Sequence, residues 1–264
     1  MLKTDPAQSS QTTSMDISNA ILLLALFFLG SYIQTVTGFA FGLIVIGLSS
    51  VLGLADLAFV AFITSALSLA NTGIALRGHT RHVYRPAVLA MLATAIPFTA
   101  LGLWLLDRFN RDELNTLQLL LGITLVVSCL MMMLKPKPRA KVNGRFAFAT
   151  AGAISGLLGG LFATYGPPVA YLMYRQPLAL LNIRLTLLMT FAVTSIIRIT
   201  LALPYLNNLQ EVSLMVALGL PVVVIATLIG RRFGPPLSEL WMRRLAFTLL
   251  LGSGVSLMVS GLMA

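Results

Sequence analysis

Apolar residues fill this chain in eight stretches, roughly 17–54, 57–76, 86–106, 114–134, 146–174, 182–203, 211–230 and 243–262, and charge is confined to the connections between them and to their ends, apart from Arg198. A helix needs ~20 apolar residues to cross the ~30 Å hydrocarbon core of a bilayer, and most of these stretches have that length. A β-barrel would instead show ~10-residue segments of alternating polarity. Two stretches do not fit a single crossing. The run 17–54 is too long and is interrupted by "TVTGFAFG" (35–42). The run 146–174 is interrupted by "GLLGGLFATYGPP" (156–168), with four glycines and two adjacent prolines. The pattern predicts a helical hairpin in each, broken at a glycine-rich tip.

Composition agrees with a polytopic all-α membrane protein. Hydrophobic residues make up 58% and charged residues 10% of the 264 positions, and mean hydropathy is +0.92. A soluble domain carries about 25% charged residues. The formal net charge is +10, which in a soluble chain would suggest nucleic acid. Here the cations sit in short loops, and the positive-inside rule accounts for them, so no nucleic-acid partner is expected. Arg77, Arg81 and Arg85 form one basic loop. Lys135, Lys137, Arg139, Lys141 and Arg145 form another, Arg175 and Arg184 flank the second hairpin, and Arg231, Arg232, Arg243 and Arg244 outweigh Glu239 in the last. The remaining connections, at Asp56, from Asp107 to Glu113 and at Glu211, are net negative. His79 and His82 lie in the first basic loop and read as solvated.

Placing every basic loop in the cytoplasm requires an odd number of crossings in each half. Three helices plus a hairpin that returns to its starting side satisfy this, and so does a hairpin stretched into two short crossings, giving about 8–10 membrane segments. The halves then run in opposite directions, with both termini outside. Internal similarity supports a duplication: Gly30 and Gly38 match Gly152 and Gly160, and Pro97, Arg108 and Phe109 match Pro221, Arg232 and Phe233. Inverted repeats of this kind are common in transporters. The expected organisation is a disordered tail over 1–16, a first membrane repeat over 17–134, a basic cytoplasmic linker over 135–145 and a second repeat over 146–264.

The broken stretches are where chemistry is expected. A broken helix exposes backbone polar groups, which membrane proteins tolerate only where the break is buried or lines a cavity. Half-helix N-termini attract anions without a formal cation, and glycine lets backbone approach a ligand closely. Pro167 and Pro168 suit the first turn of a helix, so "GPP" reads as a half-helix start facing a cavity. Candidate binding residues for a small oxyanion are therefore Thr35, Thr37, Gly38 and Gly42 at the first tip. Gly159, Gly160, Thr164, Tyr165 and Gly166 are their counterparts at the second, and Gln34 is a weaker candidate. Gly156 and Gly160 equally suit a close helix-packing face. Asn71, inside the stretch 57–76, suits either an interhelical hydrogen bond or a ligand contact. Arg198 is a lone cation in an apolar run, either snorkelling to the outer surface or attracting anions in an outer vestibule. Arg184 reads as an anchor near the inner surface.

No enzyme signature is present: no metal-spaced His or carboxylate set, no Walker loop, no nucleophile with a His partner. No metal or cofactor is expected. All eight acidic residues lie in the tail, in loops or at segment ends, which argues against a proton relay at mid-membrane. Cys129 is the single cysteine, so no disulfide framework forms.

Taken together, "TGFAFG" (37–42), "LGGLFATYGPP" (158–168) and the two related halves resemble the sulfite exporter TauE/SafE family of bacterial membrane proteins, over about Ala20 to Gly261. The glycine motif of that family, a G-x-G-G-G type, is only partly kept. The resemblance implies a multi-pass carrier of the bacterial inner membrane, handling sulfite, organosulfonates or related sulfur oxyanions, with export expected. An anion channel, an uptake carrier for another small organic anion and a non-transporting membrane partner of a sulfur-metabolism enzyme remain alternatives. The expected partners are a small anion and the lipid bilayer, and a homo-oligomer stays open.

Overall fold

The computed structural model describes residues 16–78, 80–112, 114–133, 139–206, 208–233 and 239–263. The tail before Asp16, His79, Glu113 and the linker residues Lys135 and Lys137 lie outside the described residues. Among the described residues the secondary structure is ten α-helices and two short 3-10 turns, without strands. The helices are α1 (Ile17–Thr37), α2 (Phe41–Val51), α3 (Leu57–Leu76), α4 (Arg85–Asp112), α5 (Leu114–Met133), α6 (Arg145–Phe162), α7 (Gly166–Tyr174), α8 (Leu180–Ala202), α9 (Leu209–Phe233) and α10 (Glu239–Met263). Six of them, α1, α3, α4, α6, α8 and α9, are long and apolar enough to cross a membrane. The protein is an all-α polytopic membrane protein.

Each broken stretch becomes two helices that return towards the end they left. Asn19 Nδ2, in the first turn of α1, donates to Leu54 O just beyond α2 at 3.3 Å. In the second stretch, the Asn143 backbone N–H before α6 donates to Gln176 Oε1 beyond α7 at 2.9 Å. Asp56 then starts α3 by accepting from the N–H groups of Ala58 and Phe59 at 2.9 and 3.2 Å. A carboxylate there pairs with the positive end of the helix dipole.

Several helix contacts have a counterpart in the other half: α4 packs on α6 and α9 on α1, α4 on α8 and α9 on α3, while α3 meets α8 and α5 meets α10. Glycine sets the tightest of these contacts. A Cβ on Gly152, Gly156 or Gly160 of α6 would collide with the α4 backbone at Met91, Ala95 or Thr99 respectively. Small residues that admit such close approach are the usual adhesive of membrane helices. At the α1–α3–α9 junction, fully buried Asn71 places Nδ2 3.1, 3.0 and 2.7 Å from Ser31 O, Thr35 Oγ1 and Thr227 Oγ1, three acceptors that share its two protons. The main apolar core, including Phe27, Phe41, Leu67, Leu121, Phe162 and Val223, lies between these layers.

Candidate functional site

The breaks are Gly38 to Ala40 and Ala163 to Tyr165. At both, the chain turns through left-handed backbone, with φ of 82° at Gly38, 88° at Ala40 and 52° at Ala163. For an alanine this costs about 1–2 kcal/mol, and it persists only where the surroundings impose it.

The two kinds of helix end at each break are treated differently. The carbonyl ends of α1 and α6 are served by side chains. Tyr174 Oη donates to Thr37 O at 2.7 Å. Arg198 donates from Nε to Gly159 O at 2.9 Å and from Nη2 to Gly160 O at 3.3 Å. The amide ends of α2 and α7 are not: neither Ala40 nor Tyr165, their N-cap residues, makes a side-chain capping bond. The first N–H groups of a helix have no intrahelical acceptor and carry partial positive charge; α2 offers those of Phe41, Gly42 and Leu43, whereas of the first three residues of α7 only Gly166 has an N–H, Pro167 and Pro168 having none.

These amide ends meet. A Cβ on Gly42 would strike Ala163 O, so the tips touch. Between them lies a cavity of about 20 Å³, lined by Ala40 to Leu43 of the first tip and Ala163 to Gly166 of the second. Gln34, Ser65, Ser68 and Ser195 add polar groups, and Phe191 covers one side. No formal charge lines it.

A second, larger cavity of about 710 Å³ is lined by Asp56, Asp107, Tyr205 and Asn208 from the acidic connections, with Arg198 in its wall. Arg198 is only 1% exposed, and its Nη1 donates to Ser65 Oγ at 3.2 Å. Since Ser65 also lines the tip cavity, the Arg198–Ser65 bond stands between the vestibule and the tips.

Of the residues singled out from sequence, Gly42, Thr164, Tyr165 and Gly166 line the tip cavity, as does the weaker candidate Gln34. Thr37 locks the first break, its Oγ1 lying 2.8 Å from both Ile33 O and Phe39 O, to either of which its one proton can be donated. Gly38 lies against Arg184. Thr35 and Asn71 are drawn into the α1–α3–α9 junction instead of the cavity. Gly159 sits beneath the Tyr165 ring, leaving no room for a Cβ, and Gly160 belongs to the α4 packing face while its carbonyl serves Arg198. Tyr165 Oη donates to Thr194 O at 3.3 Å. Arg198 lines the vestibule but turns its guanidinium onto α6; it does not snorkel to the surface. Ser65, Ser68 and Ser195 were missed. The signal was present as helical spacing: Ser65 and Ser68 are three apart in "TSALSLAN" (64–71), hence on one helix face.

Residues 22–257 match the family model described as Sulfite exporter TauE/SafE. The chain belongs to this family. It is also 42% identical over 243 residues, covering 92% of this chain and 94% of the relative, to a protein of Cupriavidus necator named "Probable sulfite/organosulfonate exporter TauE". No solved structure matches the chain. Membership in a family of sulfur-anion transporters, with six helices apolar enough to span a bilayer, makes this a multi-pass membrane transport protein.

Proposed function

We propose that this TauE/SafE family member exports a small sulfur oxyanion, sulfite or an organosulfonate, from the bacterial cytoplasm through the cavity between the two tips. The observation that carries the reading is the meeting of two uncapped half-helix N-termini at one cavity lined without a formal cation. Backbone dipoles and hydroxyls can hold an anion, yet release it more readily than a lysine or arginine in direct contact. The cavity has room for little more than a water, so the tips must part to admit substrate. This conformation is then an occluded one, with the vestibule waiting on the acidic side.

We also infer that the two halves are inverted copies, hairpins entering from opposite ends. In support, α1–α2 begins and ends beside Asp56, and α6–α7 begins and ends among Lys141, Arg145 and Arg175. With the basic end in the cytoplasm, outward movement of an anion runs down the usual inside-negative potential, worth ~2.3 kcal/mol per charge per 100 mV. No coupling ion is then obligatory. The test is a thermal-unfolding panel on purified protein with sulfite, thiosulfate, sulfoacetate, taurine, sulfate and formate. A bound ligand at about 100 times its Kd stabilises by about 2.7 kcal/mol. Sulfite or a sulfonate should raise the melting temperature and formate should not. No shift with any sulfur anion would contradict the assignment.

A further inference from the structure

We propose that Arg184 is a second anion-binding station, which receives the sulfur oxyanion at the basic end before it reaches the tips; this rests on the transport reading above.

Arg184 is an arginine whose buried Nε finds no hydrogen-bond partner among the described residues. Other arginines of the protein are better served. Arg198 has three acceptors, and Arg231 donates to Ile74 O at 2.6 Å. A buried donor left unpaired is costly; Arg184 is half-buried as a residue, so its guanidinium combines an unpaired inner Nε with partial access from the basic end, and an oxyanion arriving there could supply the missing acceptor. Its planar fork matches the oxygens of a sulfonate or sulfite.

Its position fits that role. The Cα, Cβ and Cγ of Arg184 lie 3.3–3.4 Å from where a Cβ on Gly38 would stand. The arginine stem is therefore packed against the left-handed end of α1, at the first break. Along α8, Phe191, Ser195 and Arg198 follow Arg184 at i+7, i+11 and i+14. At 100° and 1.5 Å per residue these four share one face, with about 21 Å between the two arginines. Phe191 and Ser195 line the tip cavity, and Arg198 lines the vestibule. One face of α8 thus carries a cation at the basic end, the uncharged tip cavity in the middle and a cation at the vestibule. An anion captured at Arg184 would be next to the first tip, and release from the tips would occur towards Arg198.

Charge replacement at position 184 tests this. Cys129 is the single native cysteine and is fully buried, so labelling of R184C beyond that of wild type, confirmed by mass, reports the introduced thiol. Sulfoacetate flux is measured in proteoliposomes for wild type, R184Q, R184K and R184C. The cysteine variant is measured before and after reaction, on both sides, with a trimethylammonioethyl or a sulfonatoethyl methanethiosulfonate. R184Q is expected to raise the half-saturating sulfoacetate concentration about tenfold, as for one charge-assisted hydrogen bond. The cationic adduct of R184C should restore flux and the anionic adduct should depress it further. Unchanged half-saturation in R184Q, or equal effects of the two adducts, overturns the assignment. If R184C does not purify as a monodisperse protein, R184K decides. Partial retention of affinity, between wild type and R184Q, supports the station, and a value no better than that of R184Q overturns it. Absence of wild-type flux for every sulfur anion overturns the transport reading and this proposal with it. Flux that is indifferent to position 184 overturns this proposal alone.

Discussion

Replacing Arg198 by lysine keeps the charge and removes the fork. In the structure Nε, Nη1 and Nη2 donate to Gly159 O, Ser65 Oγ and Gly160 O at 2.9, 3.2 and 3.3 Å. One ammonium cannot stand at all three positions. An ammonium kept on Gly159 O, the nearest of the three acceptors, gives up the bonds to Gly160 O and Ser65 Oγ. Each hydrogen bond to a charged group contributes about 1.5–3 kcal/mol. The two lost bonds are long, so the low end applies and Arg198→Lys should cost about 3 kcal/mol. In a chain of this size that lowers the melting temperature by roughly 6–12 °C. The assay is thermal unfolding of purified protein, paired with sulfite efflux from proteoliposomes at low and high salt. Maximal rate should fall, and neither more substrate nor salt should restore it. A residue that only concentrated anions in the vestibule would behave otherwise: lysine would serve as well as arginine, and added salt would hide the loss. Wild-type melting and wild-type efflux in Arg198→Lys would refute the clamp between α8 and α6.

Tyr165→Phe should lower stability by about 0.5–1.5 kcal/mol and leave half-saturation for sulfite unchanged, because the hydroxyl bonds to Thr194 O. Weaker binding at unchanged melting temperature would place that hydroxyl on the anion. Reporter fusions at Lys137 and Ala264 should report opposite faces of the membrane; the same face for both would remove the inverted-repeat reading.

Both hairpins, and the position of each break, were legible in the sequence, because a run of apolar residues too long for one crossing and punctuated by glycine has few other solutions. The prolines were equally legible: Pro167 and Pro168 open α7. What glycine is for was less legible. Gly160 and Gly166 look alike in "LGGLFATYGPP", yet one is pressed against the α4 backbone and the other faces Phe39 at an ordinary 3.5 Å. Only the packing partner tells them apart, and that partner is more than fifty residues away in the chain. The same holds for the polar residues. Asn71 and Ser68 lie one turn apart on α3, but Asn71 joins α1 to α9 while Ser68 reaches the tip cavity. Arg198 was recognised as exceptional from its apolar surroundings, but its acceptors are backbone carbonyls, which no residue type announces.

The central claim is that an anion passes between the tips, and the most direct measurement compares sulfite efflux from proteoliposomes containing wild type, Gly166→Ala or Gly166→Leu. A Cβ at position 166 has only ordinary neighbours, the nearest at 3.5 Å, so alanine should fold and transport. Leucine should also fold but fill the water-sized cavity between the half-helices. The account predicts saturable efflux in wild type and Gly166→Ala and none in Gly166→Leu at equal protein and equal monodispersity. Wild-type efflux through Gly166→Leu would contradict it.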